Sequence, residues 1–290
     1  MFSGNNMESR KTIRIFNDAT AIVTGGASGI GRALAEELAR RGCEVVLADM
    51  QIAKAQEVAT QIQAFGGKAK AVEVDVTDFP AMERLVRETF ERTGRVDYIF
   101  NNAGIVIYCT IKDYRIEDWN KVIDINLRGV VNGIQAAYKI MIGQGFGHIV
   151  NTASIAGLMP DPINVAYATT KHAVVGLSQS LRAEAAQMGI RVSVLCPGVI
   201  RTAILEGGTY GKISINIPDE KLHDMLEELK PMSPDIFAKK VLKAIAKNKA
   251  IIIVPSQYKL IWWFNRLFPF WGMAIAQKIF RKMQKEFDLL

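Results

Sequence analysis

The sequence predicts an α/β protein with a doubly wound parallel sheet of about seven strands, helices on both faces and a single domain. Short apolar runs alternate with longer segments of helical period, the pattern of a parallel sheet covered on both sides. The segments between runs are long enough for crossovers between parallel strands. With 290 residues, 49% of them hydrophobic, the chain can bury one substantial core. The predicted strands are 21–24, 44–48, 70–74, 98–101, 147–152, 191–196 and 251–254, and the predicted helices are 31–41, 52–65, 80–93, 116–142, 165–188 and 234–247.

The first predicted strand runs directly into a glycine-rich loop, which is followed by a helix. The loop residues are Thr24, Gly25, Gly26, Ala27, Ser28, Gly29, Ile30 and Gly31. Glycine lets the backbone turn sharply and approach a pyrophosphate, whose charge would meet the free N–H groups at the helix start. A tight turn can also use glycine for structural reasons alone, but the position between a first strand and a helix favours dinucleotide binding. The loop therefore predicts a Rossmann-type cofactor site.

Asp49 ends the second strand and indicates which dinucleotide the site takes. It lies eighteen residues after Gly31, where a carboxylate can accept hydrogen bonds from the adenosine ribose hydroxyls. Such a carboxylate would repel the 2′-phosphate of NADP, and neither Ser28 nor Met50 offers a cation to hold that phosphate. The cofactor prediction is therefore NAD(H), the alternative being a solvated aspartate at a strand end.

The third and fourth strands also end in residues that the topology directs to the cofactor. Asp75 and Val76 follow the third strand, and Asn101, Asn102, Ala103 and Gly104 close the fourth. The carboxyl ends of parallel strands form the ligand crevice of an open sheet. Asp75 could bind the adenine amino group, whereas Asn101 could instead pin its own loop through bonds to the backbone.

Tyr167 and Lys171 lie at the start of the helix predicted after the fifth strand. Their spacing puts the phenol and the ammonium on one helical face, and an adjacent cation favours the phenolate of tyrosine. A tyrosine of that kind can exchange a hydroxyl proton while hydride moves at the carbon. Ser154, thirteen residues before Tyr167, can polarise the reacting oxygen. Alone, the Tyr and Lys pair would more often be an ordinary surface pair.

Taken together, these motifs resemble the short-chain dehydrogenase/reductase family, NAD-preferring, over about residues 19–255. The resemblance also rests on Asn126 within Asn-Leu-Arg-Gly and on Pro197-Gly198. It implies that Tyr167 is the acid/base, that Ser154 binds the reacting oxygen and that Lys171 holds the nicotinamide ribose and lowers the Tyr167 pKa. It further implies that Asn126 holds a water molecule, which links Lys171 to solvent as a proton relay. Pro197, Gly198, Ile200 and Thr202 would contact the cofactor, Thr202 at the carboxamide. Ala153 is a mild departure, since many relatives have serine there.

Two segments of the chain are less regular than the rest. Residues 200–232 form a long irregular stretch that we expect to be a substrate lid, as in relatives. Residues 256–290 extend beyond the usual family length and are rich in tryptophan, phenylalanine and cations. The last part predicts a basic amphipathic helix with an apolar face of Met273, Ala276, Ile279, Phe280, Met283 and Phe287. This extension would lie in a lipid headgroup layer or pack against protein, its own subunit or a symmetric partner.

Composition narrows the class of protein further. The net charge of +7 comes from residues scattered along the chain, and the sequence contains no recognisable nucleic-acid-binding motif. No nucleic-acid partner is therefore predicted. Cys43, Cys109 and Cys196 are not at metal-ligand spacing, which predicts reduced thiols, no metal and a cytoplasmic location, with peripheral membrane association as a possibility. Residues 1–18 are expected to be a polar N-terminal extension without the apolar core of a signal peptide.

The predicted function is hydride transfer between NAD(H) and a secondary alcohol or ketone that is bulky and apolar, such as a steroid, a retinoid or a lipid-like molecule. The apolar C-terminal extension beside the lid suggests this substrate class. Two alternatives stay open at this point: an NADPH-preferring carbonyl reductase, and a non-catalytic cofactor-binding scaffold associated with a membrane. A homodimer or homotetramer is expected from the family resemblance.

Overall fold

The computed structural model describes residues 12–205, 211–213, 221, 224 and 227–287, and its main sheet has seven parallel strands. These are β1 (Thr20–Thr24), β2 (Glu44–Asp49), β3 (Lys68–Glu73), β4 (Tyr98–Asn101), β6 (Gly147–Thr152), β7 (Ile190–Pro197) and β9 (Ile251–Val254). Their spatial order is β3-β2-β1-β4-β6-β7-β9. The order reverses between β1 and β4, which is where ligands bind in open α/β sheets. The predicted doubly wound sheet is therefore confirmed.

Helices cover both faces of this sheet. They are α1 (Gly29–Arg40), α2 (Ile52–Ala64), α3 (Phe79–Thr93), α4 (Ile116–Ile123), α5 (Gly129–Gln144), α6 (Val165–Ala185), α7 (Pro234–Ala246), α8 (Tyr258–Leu267) and α9 (Pro269–Phe287). Strand side chains alternate between the two faces, so Val45 and Leu47 join the core cluster under α1, α2 and α7, whereas Val46 joins the cluster under α3, α5 and α6. Both faces of the central strands are buried, which explains their nearly continuous apolar sequences.

The helix predicted over residues 116–142 is interrupted. Between α4 and α5 the chain makes a π-helical turn at Asp124–Arg128, and this turn contains Asn126. A π turn adds a residue to the helical repeat and is frequent at functional sites. The apolar period on either side gave no sign of it.

A second, small parallel sheet also escaped prediction, because each of its strands has three residues. It pairs β5 (Val106–Tyr108) with β8 (Gly211–Ile213). β8 belongs to the expected lid, residues 200–232, of which 206–210, 214–220, 222–223 and 225–226 lie outside the described residues. The two ends of the lid are tied by a parallel bridge between Ile200 and Met232. The segment that we expect to be the lid is therefore held at both ends and at β5.

The N-terminal extension, predicted as residues 1–18, is described from residue 12. Phe16 is buried in the core cluster and its ring centroid lies 5.4 Å from that of Tyr98. Buried Asp97 accepts hydrogen bonds from the backbone N–H groups of Arg14 (3.0 Å) and Thr20 (2.9 Å). The packed core therefore includes part of the segment that the sequence suggested to be an extension.

The C-terminal extension forms two helices, α8 and α9, of which only the second was predicted. Fewer of the residues predicted for the apolar face of α9 turn toward the protein than expected. Ala276, Phe280 and Met283 are half-buried, whereas Met273 and Ile279 are exposed, and the Phe287 side chain lies outside the described residues. Among the helices that the structure describes, none is long and apolar enough to cross a membrane.

Candidate active site

A cleft of about 1000 Å³ opens at the carboxyl ends of the central strands. It brings together most of the residues that the sequence singled out. Those that line it are Gly25, Ser28, Gly29, Ile30, Asp49, Asp75, Val76, Asn102, Ala103, Gly104, Ser154, Tyr167, Lys171, Pro197, Gly198, Ile200 and Thr202. The singled-out residues that do not line it are Thr24, Gly26, Ala27, Gly31, Asn101 and Asn126.

The glycine loop has the geometry of an anion cradle. Gly25 and Gly29 have φ values of 65° and 52°, in the left-handed region that side chains rarely adopt. A Cβ atom on Gly31 would lie 2.0 Å from the carbonyl oxygen of Gly25, so α1 packs against the loop more closely than any side chain would permit. Thr202 approaches from the far side, with Cγ2 3.2 Å from where a Cβ on Gly29 would stand. Gly29 and Ile30, which begin α1, line the cleft, and Ser28 makes no side-chain cap hydrogen bond. The N–H groups at the start of a helix suit an anion.

Thr24 and Asn102 join the glycine loop to the end of β4. The Thr24 hydroxyl accepts hydrogen bonds from the backbone N–H groups of Asn102 (2.9 Å) and Ala103 (3.1 Å). The Asn102 side chain donates to the Thr24 carbonyl at 3.1 Å. Asn101 instead donates to the Asn151 side chain on β6 at 2.8 Å, so the loop-pinning role considered for Asn101 belongs to Asn102.

Asp49 and Asp75 are both held by backbone N–H groups at the same end of the cleft. The two oxygens of Asp49 accept from Ala27 N (3.0 Å) and Gln51 N (2.9 Å). One oxygen of Asp75 accepts from both the backbone N–H and the hydroxyl of Thr77, each at 2.8 Å. Both carboxylates are thereby oriented before any ligand arrives.

The π turn fixes Asn126 behind Gly104. Asn126 is fully buried, its Oδ1 accepts from Ile105 N at 2.8 Å, and its Nδ2 donates to the Ile105 carbonyl at 2.9 Å. A Cβ on Gly104 would lie 3.2 Å from Asn126 Oδ1 and 3.4 Å from Lys171 Nζ. Because Gly104 has no side chain, both Asn126 Oδ1 and Lys171 Nζ can lie close to it.

Ser154, Tyr167 and Lys171 converge at the other end of the cleft. Ser154 caps a short 3-10 turn by accepting from Ala156 N at 3.1 Å, and it forms a hydrogen bond with Tyr167. Lys171 is buried, donates to the Thr152 carbonyl at 2.9 Å and lies 5.3 Å from the centroid of the Tyr167 ring. Strand β6 and helix α6 thus place a hydroxyl, a phenol and an ammonium group side by side.

The pKa of Tyr167 moves in the direction opposite to the one expected from Lys171. Burial raises the pKa of Tyr167 to about 12, the hydrogen bond with Ser154 lowers it, and the charge of Asp161 raises it further. Burial also lowers the pKa of Lys171 to about 8, so its ammonium group stays mostly protonated at neutral pH. In this structure desolvation outweighs the neighbouring cation, so the phenol stays protonated at neutral pH.

Apolar residues outside the cofactor motifs also line the cleft. They include Val106, Ile155, Met159, Ile163, Ile204, Leu205, Ile213, Leu229 and Met283. Asp161 is one of the ionisable residues of the cleft that the sequence analysis missed, the others being Tyr108, Lys121 and Asp124. Burial raises the pKa of Asp161 to about 6. It accepts a hydrogen bond from Asn164 at 3.1 Å. Nothing in the sequence around Met159, Pro160 and Asp161 distinguishes this turn from an ordinary surface loop.

The C-terminal extension also reaches the cleft, which the sequence analysis did not resolve. Tyr258 packs on Gly198, where a Cβ would stand 2.2 Å from the tyrosine ring. Asn265 donates to the Leu158 carbonyl at 3.3 Å, and Met283 forms part of the cleft wall. The extension therefore closes one side of the site.

Comparisons with known proteins agree with this architecture. The model of the short chain dehydrogenase family matches residues 19–209. An uncharacterised oxidoreductase of Staphylococcus epidermidis is 34% identical over 195 residues, covering 67% of this chain and 84% of that protein. One of Listeria innocua is 41% identical over 187 residues, covering 64% and 75%. The crystal structure of a short chain dehydrogenase/reductase from Burkholderia phymatum in complex with NAD aligns with a TM-score of 0.77 at 28% identity, over 87% of this chain and 94% of that one. The chain therefore belongs to the short-chain dehydrogenase/reductase family of oxidoreductases.

Proposed function

We propose that this oxidoreductase uses NAD(H) to interconvert a bulky, apolar secondary alcohol and its ketone. The observation that carries the proposal is the convergence of Ser154, Tyr167 and Lys171 in the same cleft as the glycine loop. A site of this kind joins a dinucleotide cradle to a group that can exchange a proton with the reacting oxygen.

The residues present fit a nicotinamide dinucleotide. The left-handed glycines and the space that a Cβ on Gly31 would fill suit a pyrophosphate, and the acidic pair Asp49 and Asp75 suits the adenosine half. Ala103, Gly104, Pro197, Gly198, Ile200 and Thr202 would hold the rest. When bound, the cofactor supplies or accepts the hydride.

The chain's own residues handle the proton. Tyr167, protonated at neutral pH, can donate its hydroxyl proton to the oxygen of a ketone as that oxygen becomes an alcohol. Ser154 can hold the same oxygen by hydrogen bonding and polarise it. In the opposite direction Tyr167 must first give its own proton to solvent and then, as the phenolate, accept the proton of the alcohol. We assign to Lys171 and Asn126 the holding of the cofactor ribose and the relay of protons to solvent.

Asp49 supports NAD(H) over NADP(H). It is only 7% exposed and is fixed by two backbone bonds, so it cannot easily turn away from a ribose phosphate. Among the described residues that line the cleft, the lysines are Lys121 and Lys171, and neither belongs to the loop or strand around Asp49. The relative from Burkholderia phymatum was crystallised with NAD.

Replacing Asp49 with Ala should weaken NADH binding by about tenfold or more, because a hydrogen bond to a charged group contributes about 1.5–3 kcal/mol. Fluorescence titration with NADH and with NADPH measures the change. If repulsion of the 2′-phosphate sets the preference, NADPH binding should fall less than NADH binding, or improve. An equal loss for both cofactors would mean that the substitution only disorders the loop, and would contradict the assigned role.

The substrate class rests on the apolar lining beside Tyr167. Burying apolar surface there favours a large hydrophobic substrate by about 25 cal/mol per Å². A panel of long apolar and short polar alcohols and ketones, assayed with NAD+ and NADH, tests this. Higher kcat/KM for the apolar members supports the proposal, and turnover confined to small polar sugars would overturn it.

Asp161 should tune the pH dependence of this chemistry. Above a pH of about 6 it is ionised, and its charge raises the pKa of Tyr167. Replacing Asp161 with Asn should therefore lower the Tyr167 pKa and shift the rise of alcohol oxidation with pH to lower pH. The matched control is Asp235→Asn, an exposed carboxylate on α7 that does not line the cleft. An unchanged pH profile for Asp161→Asn would contradict the electrostatic role.

The remaining alternatives make different predictions. An NADPH-preferring carbonyl reductase would bind NADPH more tightly than NADH, and a non-catalytic scaffold would bind cofactor without turnover of any substrate. We infer a homodimer or homotetramer from family membership, and a cytoplasmic location from three free, buried cysteines. Within the described residues no cluster of three or more His, Cys, Asp or Glu side chains could hold a metal ion.

A further inference from the structure

Exposed apolar side chains concentrate in the C-terminal helix pair, by which we mean α8 and α9 (residues 258–287). Of the 22 large hydrophobic residues that are exposed among the described ones, 11 lie in this pair. They are Leu260, Ile261, Trp263, Phe264, Leu267, Phe268, Phe270, Trp271, Met273, Ile275 and Ile279. Such a concentration of exposed apolar side chains in thirty residues indicates an interaction site rather than ordinary surface composition.

The first helix of the pair has two apolar faces. Tyr258 and Trp262 pack against the core, and Asn265 bonds to the Leu158 carbonyl, so these positions turn toward the protein. Leu260, Phe264 and Leu267 recur at three- and four-residue spacing on the opposite side and are exposed. Packing against the subunit therefore explains only one of the two faces.

The second helix adds cations to the outward surface. Ala276, Phe280 and Met283 turn toward the protein, whereas Lys278, Arg281, Lys282 and Lys285 are exposed on the other side. With Lys259 and Arg266 they make six cations in the helix pair, whose sequence contains one carboxylate, Glu286. Aromatic and aliphatic side chains beside an excess of cations suit the headgroup layer of an anionic membrane.

A second copy of the chain suits this surface less well. A two-fold interface places the same patch of both subunits face to face. The six cations of each copy would then be brought close to those of the other, with one carboxylate per copy, Glu286, to pair with them. In a membrane, the phosphate headgroups supply negative charge for the cations, and the acyl chains contact the apolar side chains.

The helix pair also sits at the substrate end of the cleft. Met283 forms part of the cleft wall, together with Leu205, Ile213 and Leu229. The bond between Asn265 and Leu158 holds the first helix close to the turn that Ser154 caps. A surface bound to the helix pair would therefore lie beside the apolar half of the site.

We propose that the C-terminal helix pair is a monotopic lipid-docking surface, which inserts Leu260, Phe264, Leu267 and Phe270 into an anionic leaflet and lays its cations on the phosphate groups. Membrane binding of this kind needs no spanning helix. It also places the apolar end of the cleft next to the phase in which a hydrophobic substrate would dissolve.

Co-sedimentation of the full-length protein with phospholipid vesicles tests the proposal. We expect binding to vesicles of phosphatidylcholine with phosphatidylserine and much weaker binding to phosphatidylcholine alone. The double variant Leu260→Ser, Phe270→Ser should lose about tenfold or more in partitioning. The double variant Lys278→Glu, Lys282→Glu should lose a similar factor toward anionic vesicles.

Matched controls separate docking from general effects. Ile116→Ser removes an apolar side chain that is 67% exposed outside the helix pair, and Lys239→Glu, Lys240→Glu makes the same change of charge on α7. Both controls should bind vesicles as the unchanged protein does, and all variants should retain NADH binding, which shows that they fold. Quenching of tryptophan fluorescence by brominated acyl chains should appear only with anionic vesicles, since Trp263 and Trp271 are exposed.

Three results would overturn the proposal: no binding to anionic vesicles, equal loss in the controls, or loss of oligomers instead of vesicle binding in the Leu260 and Phe270 variant. The last would identify the helix pair as a subunit interface and is measured by analytical ultracentrifugation. The vesicle measurement uses no substrate, so its failure leaves the proposed function standing, and failure of the substrate panel leaves lipid docking standing.

Discussion

Replacing Tyr167 with Phe should reduce turnover by roughly 10²–10⁴-fold while leaving NADH binding nearly unchanged. The substitution keeps the ring that lies 5.3 Å from Lys171 Nζ and removes only the hydroxyl, which forms the hydrogen bond with Ser154. Without it no group at this position can give a proton to the ketone oxygen or take one from the alcohol. Steady-state kinetics and NADH fluorescence on the same preparation separate the two effects.

The matched control is Tyr138→Phe, which removes a phenol hydroxyl from α5, outside the cleft lining. It should leave kcat and KM as they are. Retained activity in the Tyr167 variant would remove this residue from the mechanism. Loss of both NADH binding and activity would mean that the Tyr167→Phe variant is damaged structurally. In that case Ser154→Ala provides a second test of the site. It should lower kcat without loss of NADH binding.

Replacing Gly31 with Ala should strongly weaken cofactor binding. The new methyl group would stand 2.0 Å from the Gly25 carbonyl oxygen and 2.7 Å from the Asn102 side chain, and the first of these is backbone that cannot rotate away. The loop or the start of α1 must shift, at a cost of about 1–3 kcal/mol in stability. We expect NADH affinity to fall by at least about tenfold, because N–H groups aimed at a phosphate lose their alignment. Calorimetric titration and thermal unfolding measure the two quantities.

Gly176→Ala is the control for this substitution. Gly176 lies on α6 with no atom within 4 Å of its added Cβ, so alanine there should leave NADH binding intact and raise helix stability by up to about 1 kcal/mol. Unchanged NADH affinity in the Gly31 variant would show that the close approach of α1 to the loop is not required for binding.

The parts of the fold that the sequence predicts well are those determined by local pattern. Strands β4, β6 and β9 begin and end where predicted, and every residue in them is buried except the half-buried Ile251. The bounds of β3 are displaced by one to two residues, since this edge strand is only partly buried and its sequence alternates lysine with alanine. Burial on both faces leaves a stronger trace in sequence than burial on one.

What escaped prediction depends on contacts between distant segments. The π turn around Asn126 is specified by bonds to Ile105, twenty-one positions away, and not by its own helical period. The pairing of β5 with β8 joins strands of three residues across about half the domain. The rise in the Tyr167 pKa comes from burial, which two residues spaced on a helix do not reveal. Motif spacing indicated which groups meet, but not the dielectric environment in which they meet.

The contact of Tyr258 with Gly198 has a consequence for how the two ends of the molecule influence each other. Gly198 belongs to the loop that we assign to the cofactor, and Tyr258 begins the helix pair that we assign to lipid. If membrane docking alters the contact between Tyr258 and Gly198, it also changes the dissociation constant of NADH by a certain factor. Thermodynamic linkage then requires NADH to change the membrane partition coefficient by the same factor. The redox state and supply of the nucleotide would thereby help to decide how much of the enzyme resides on the membrane.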